Sequence, residues 1–282
     1  MSSKKSLVIF FNCHGKEIYK ILNKYQPFTN EYVLSYIPLH NHFENDISNI
    51  QKELIKNADV LIIQFIKNKR KFVHHDIIIP LTKPKCKIIM LPHYVFSGYF
   101  INFNINRNFD KSQNKFNEYL NIGKDISKND IINFFNHSLL EFQKTEEISS
   151  IKMFPIVKDL FKKHLLFNSR SYPTSLFFNY VSIEILKLLN ISTQNYKFID
   201  KKFAKNVETI ILPYVKKVLQ LEFDVFNKEY LNISYNAIDY LLAYIKTIDN
   251  NDNLIKCRGN FLLNLDYNKT NHLNILKSVI NK

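Results

Sequence analysis

The sequence predicts an α/β fold: a three-layer α/β/α sandwich on a mainly parallel sheet, followed by a mainly helical C-terminal extension. Three observations carry this. Short apolar runs ending in turn residues alternate with amphipathic stretches through roughly the first hundred residues. The run Ala58 to Ile66 is apolar on both faces, as a strand covered on two sides must be. After Asn190 the chain reads as mainly helical.

The elements follow in order. Leu7 to Phe11 reads as a buried strand, and Lys16 to Lys24 as a helix with Ile18, Tyr19, Ile21 and Leu22 on its apolar face. Glu31 to Leu39 is the second strand. Asn45 to Asn57 is the next helix, with Ile47, Ile50, Leu54 and Ile55 expected inward. Ala58 to Ile66 and Cys86 to Tyr94 are the third and fourth strands. Tyr94 to Phe109 opens a long aromatic, Asn-rich loop of the kind that often covers a ligand. Helices are expected over Lys128 to Gln143 and Ser149 to Lys163. The stretch from His164 to Ser175 reads as a short strand leading into a helix over Thr174 to Leu189. Asn190 to Asn195 is a plausible boundary, giving domains 1–190 and 191–282. Helices over Phe203 to Gln220 and Asn227 to Ile248 follow, then "KCRGNFLLNLDYN" and a last short helix.

With 282 residues, 46% of them hydrophobic, the chain can bury a sizeable core. Its net charge of +14 suits a phosphorylated small molecule, an anionic membrane face or nucleic acid. No helix-turn-helix, zinc-finger or RNA-recognition signature is present, so a nucleic-acid partner is not expected, whereas peripheral contact with an anionic membrane stays open. The lysines are scattered, and their densest run, Lys67 to Lys71, reads as a solvated loop. Cys13, Cys86 and Cys257 are far apart and odd in number, which argues against a disulfide framework and for a reducing cytoplasm. The start, "MSSKKSLVIFFNC", imitates a lipoprotein signal, but its apolar run is short and Asn12 stands where a small residue is wanted. No segment reaches the ~18 apolar residues of a membrane span.

The chemistry concentrates at "NCHG", Asn12 to Gly15. Cys13 stands where the first strand gives way to the first helix. Ligands of open parallel sheets bind at the carboxyl ends of the strands. A helix N-terminus carries about half a positive charge, which favours a thiolate and holds anions on free N–H groups. Gly15 would allow close approach of backbone to a ligand. The alternative is a small residue packed under a tight turn.

The series "FFNCHGKEIYKIL", "ADVLIIQFI", "IIMLPHYVFSGYF" and "LLFNSRSYPTSLFFNYVSIEILKLL" resembles the WcbI family of capsular polysaccharide biosynthesis proteins. That resemblance covers about Leu7 to Asn190. It implies an SGNH-like sandwich, with coenzyme A or acetyl-coenzyme A as acyl donor and a sugar hydroxyl of a polysaccharide precursor as acceptor. Asn12 and Cys13 match the family's Asn-Cys pair, Gln64 its strand-end Gln, Pro92, Gly98 and Tyr99 its loop, and Pro173 and Thr174 its late helix start. Phe11 stands in place of Gly and His14 in place of Gln. Phe100 and Ile101 replace a His-Pro, and Tyr172 replaces a His. Two family histidines are thus missing. Either other residues supply the acid–base chemistry, or the protein binds without turnover. An esterase on the same scaffold is a further alternative.

The expected site is therefore Cys13, either as a nucleophile that takes the acyl group or beside a direct attack of the acceptor hydroxyl on the thioester, with His93 or His14 as base, and Asn12, Gly15, Gln64, Gly98, Tyr99, Tyr172, Pro173 and Thr174 as oxyanion or substrate-binding residues. His40 and His42 read as a polar loop after the second strand. No metal is expected: in "VHHD", Val73 to Asp76, the adjacent histidines lack the i, i+4 spacing that aims two ligands at one ion.

Overall fold

A computed structural model describes residues 3–67, 72–100, 127–199, 211 and 213–223. The chain divides into two compact units. The first holds the sheet. Its strands are β1 (Lys5–Phe11), β2 (Tyr32–Pro38), β3 (Val60–Gln64) and β4 (Lys87–Leu91), all parallel in the order β2-β1-β3-β4. The chain leaves β1 toward one edge and returns past it to build the other. The strand order thus reverses beside β1, and the crevice at the carboxyl ends of β1 and β3 is where such sheets bind ligands.

Both faces are covered. Val8 and Phe10 of β1 pack with Leu61 and Ile63 of β3 against Ile55 of the helix Asn49–Lys56. Ile9 and Phe11 face the other way, toward the helix α1 (Cys13–Leu22). Leu7 to Phe11 and Leu61 to Ile63 are fully buried, at about 1.5–3 kcal/mol for each large side chain.

The helix Asn49–Lys56 starts four residues later than the sequence suggests, because Ser48 and Gln51 form a reciprocal capping box. Ile47 and Ile55 are buried as expected, but Ile50 is 77% exposed. At 100° per residue Ile50 and Ile55 lie about 140° apart round the helix, so one face cannot hold both.

The expected helices at Lys128 and Ser149 differ in outcome. The first spans Lys128–Thr145. The second is short, Phe154–Leu160. Ser149 and Ser150 are diverted into a loop: the Ser150 N–H donates to the Met90 carbonyl at 2.7 Å, and its hydroxyl accepts from the Met90 N–H at 2.8 Å. Buried Glu146 then accepts from the N–H groups of Met153 (2.7 Å) and Phe154 (2.8 Å), and Pro155 opens the helix.

The expected strand near His164 is an antiparallel hairpin of β5 (Phe167–Ser169) and β6 (Tyr172–Pro173). It feeds the helix Ser175–Leu188, which packs on α1. That helix ends in a Schellman motif. Asn190 takes the left-handed conformation, φ 59°, and the Ile191 N–H donates to the Leu186 carbonyl at 2.9 Å.

In the second unit, the helix Pro213–Leu219 falls within the expected span Phe203 to Gln220, and the Glu222 N–H donates to the Lys162 carbonyl at 2.7 Å. The helix expected over Asn227 to Ile248, the final segment, Cys257 and most of the Lys67 to Lys71 run and of the aromatic loop lie outside the described residues. Among the described residues, no helix is long and apolar enough to cross a membrane.

Candidate functional site

The site grows from the last residues of β1 and β3. Asn12 caps α1: its side-chain oxygen accepts the His14 N–H at 2.9 Å. Its own N–H donates to Gln64 Oε1 at 3.2 Å, which ties the ends of β1 and β3 together across the crevice. Its carbonyl accepts the Tyr36 hydroxyl at 2.8 Å and the Gly15 N–H at 2.9 Å. The Asn12 backbone and side-chain oxygen thereby shape the turn, and the Gln64 amide N–H groups can serve a ligand.

Gly15 has a packing role in place of the expected ligand approach. It is buried, and a Cβ there would collide with Cβ of Phe11 and press on Ile9 and Tyr36, each 3.1 Å away. The glycine lets the first turn of α1 lie directly on β1.

Cys13 is half-buried at the first position of α1. The Tyr172 hydroxyl lies close enough to the Cys13 thiol to feel its charge. Tyr172 has a raised pKa, caused first by the Cys13 sulfur, then by burial and by Glu17. Tyr36 is pushed up to about 12 by burial, with Cys13 and Glu17 adding to it. Two phenols that stay protonated thus flank one thiol. Glu17, one helical turn from Cys13, is bound to Lys20 through Oε1 at 2.8 Å, while its buried Oε2 has no hydrogen-bond partner.

His14 is 1% exposed. Its Nε2 lies 2.8 Å from the Ser171 carbonyl, to which an N–H must donate, so Nδ1 holds the lone pair, buried and without a partner. Burial, with His93 adding to it, lowers its pKa to about 3. The His93 ring lies 4.7 Å from that of His14, and Tyr172 and Phe178 lie against His14 at 6.2 and 5.4 Å. His93 keeps an exposed side, and surrounding protein lowers its pKa, so it too is neutral at pH 7. Of the two candidate bases, only His93 can be reached from solvent.

Other expected residues serve the frame. The Thr174 hydroxyl donates to the Leu165 carbonyl at 3.0 Å and caps the helix Ser175–Leu188. Pro173 is buried within β6. Pro92 is buried just beyond β4. Gly98 and Tyr99 belong to the second unit, where Tyr99 packs edge-on against Phe100 (5.8 Å) and Phe223 (5.9 Å). Tyr36, Glu17 and exposed Arg170, which precedes Ser171 in the hairpin, were not anticipated. The signal for Glu17 was available, since i and i+4 share a helix face. Tyr36 looked like any strand residue, and Arg170 like any loop cation.

This geometry can be set beside known proteins. Residues 6–122 match the family model of the polysaccharide biosynthesis enzyme WcbI. The fold is similar to a solved structure of WcbI, described as a novel polysaccharide biosynthesis enzyme, in a native form without a disulfide bond between coenzyme A and a cysteine. The two share 13% identity and a TM-score of 0.61, over 80% of this chain and 82% of that one. At that identity the likeness shows the fold. No curated protein matches the chain.

Proposed function

We propose that this chain is a WcbI-like protein that binds coenzyme A at the carboxyl end of β1 and transfers its acyl group, acetyl in the first instance, to a sugar hydroxyl in capsular or surface polysaccharide synthesis. The observation that carries this reading is the Cys13 thiol at the sheet's switch point, in the segment that matches the family model, with the Tyr172 hydroxyl of the hairpin near it. The SGNH-like sandwich, with residues 191–282 as a helical extension, belongs to the same proposal. A thiol, two protonated phenols and a neutral imidazole suit a thiol-ended carrier and a hydroxyl acceptor.

The residues divide the work as follows. Bound acyl-coenzyme A supplies an activated thioester. His93, neutral and open to solvent, would take the proton of the acceptor hydroxyl as its oxygen bonds to the acyl carbon, and give that proton to the sulfur released when the C–S bond breaks. Tyr172 and the Gln64 amide donate hydrogen bonds where negative charge develops on the acyl oxygen. Cys13 and Tyr36 mark the seat of the sulfur end. His14, buried and bound to Ser171, braces the hairpin that carries Tyr172. The missing family histidines are then offset by His93.

Iodoacetamide labelling with peptide mapping tests the site. Cys13 should alkylate faster than Cys86, whose thiol is pushed up by burial, and coenzyme A should protect Cys13. Labelling of Cys13 that coenzyme A leaves unchanged at millimolar concentration would count against the reading.

A further inference from the structure

His74, His75 and Asp76 lie outside the proposed acyl-transfer site. They follow fully buried Val73, and the last two begin the short helix His75–Ile78. Adjacent histidines normally diverge. Here His74 is extended (φ −64°, ψ 140°) and His75 helical, and the bend between them brings both rings to one side, with centroids 4.1 Å apart and planes 32° apart. Asp76 then reaches back between them. One carboxylate oxygen lies 3.4 Å from His74 Nδ1 and the other 3.5 Å from His75 Nε2. One donor atom from each residue lies within 4.8 Å of the other two.

These distances have a meaning for metals. Two ligands that each sit ~2.0–2.1 Å from a tetrahedral zinc are about 3.3 Å apart. His74 Nδ1 and His75 Nε2 each lie near that value from a carboxylate oxygen, each from a different one, and a set with one atom per residue lies within 4.8 Å, so an ion would draw the three groups together. The two imidazole side chains are only 7% and 13% exposed. His74 Nδ1 accepts the Asp76 N–H at 3.3 Å, so it carries its ring's one lone pair, and an ion bound there would replace that long hydrogen bond. His75 Nδ1 is buried with no hydrogen-bond partner among the described residues. Asp76 is 67% exposed, so one side of the cluster is open to ions and water.

We infer that His74, His75 and Asp76 form a binding site for a late first-row divalent cation of the zinc class, with two imidazole nitrogens and one carboxylate oxygen as ligands and the remaining positions left to water. Imidazole with carboxylate is the donor set such ions accept. The Phe65 ring, next to Gln64, packs 4.8 Å from His75, so the ion would fasten the segment after β3 close to the strand end that carries Gln64.

The test uses the full chain, stripped with a chelator, desalted and titrated with zinc by calorimetry. Cys13→Ser is run in parallel because a thiolate is a competing ligand. The expected result is one equivalent of zinc in both proteins. Affinity should fall by at least about tenfold in His75→Ala and in Asp76→Ala, more than loss of an outer-shell partner typically costs at its weakest. Because Asp76 is exposed, Asp76→Ala keeps the test valid if His75→Ala unfolds. Cobalt(II) in place of zinc should give a spectrum without thiolate-to-metal charge transfer. Absence of zinc uptake, uptake unchanged in both variants, or a thiolate band would overturn the assignment. None of these results depends on coenzyme A, so the site stands or falls separately from the acyl-transfer reading.

Discussion

His14 shows how one residue can be both near the chemistry and excluded from it. Its ring is buried, its Nε2–H is held by the Ser171 carbonyl, and its pKa is lowered to about 3. An unfolded histidine titrates near 6.5. Below that pH the unfolded chain binds a proton that the folded chain refuses, so stability rises with pH between about 3 and 6.5 and is lost as pH falls through that window. From pH 7 to pH 5 the loss is about 2 kcal/mol. Glu146 acts in the opposite sense. Burial raises its pKa to about 7, so it favours the folded state as pH falls from 7 toward its ordinary value. His14→Gln isolates the histidine. A glutamine amide can still donate to Ser171 but cannot titrate. Urea unfolding should show near wild-type stability at pH 7 and a gain of about 2 kcal/mol over wild type at pH 5. Parallel curves for the two proteins would mean that His14 is not the neutral, buried group described above.

At the scale of elements, the helix Ser175–Leu188 is the hub. It seats the hairpin at one end through Thr174 and anchors the segment after Asn190 through Asn179. Asn179 is 1% exposed and fully engaged. Its amide nitrogen donates to the carbonyls of Ser175 (2.7 Å) and Ile199 (2.9 Å), and its oxygen accepts from the Tyr196 hydroxyl (2.7 Å) and the Ile199 N–H (2.9 Å). Asn179→Ala should cost about 2–4 kcal/mol, since it leaves more than one polar group buried and unpaired. Limited proteolysis should cut first between Ile191 and Ile199; an unchanged cleavage pattern would mean that the segment is held by its aromatic contacts alone. The legibility of these elements followed how local their causes are. The four strands could be read from apolar runs, and the helix over Thr174 to Leu189 from Pro173 and Thr174. The seam at Cys13 was legible because a strand end and a helix start are both local signals. Long-range pairing hid the rest. Ser150 joins Met90, so the helix expected at Ser149 starts at Phe154. The Ser171 carbonyl fixes His14 from 157 residues away, and no window of sequence contains both. Asp76 reaching back between two histidines is likewise a matter of backbone bend, which spacing alone does not encode.

For the molecule as a whole, charge is the feature that a phosphorylated ligand would use. A net charge of +14 raises the local concentration of any anion, but such a field is screened over about 8 Å at physiological salt. A specific grip on phosphate needs a cation beside the site. Among the described residues Arg170 is one such cation, exposed in the hairpin one residue before Ser171 and two before Tyr172. A guanidinium also offers a fork of donors that a lysine lacks. If the chain binds coenzyme A as proposed, Arg170→Ala should weaken binding by about 1.5–3 kcal/mol, the worth of a charged hydrogen bond, which is tenfold or more in Kd. The variant should keep its melting temperature without ligand, because the side chain is exposed. Its affinity should also depend less on salt than that of the wild type. Calorimetry at two ionic strengths reads both effects. Equal affinity in the two proteins would remove Arg170 from the site. A fall in affinity with an unchanged salt dependence would mean that the arginine shapes the hairpin and leaves the phosphates to the diffuse field of the lysines.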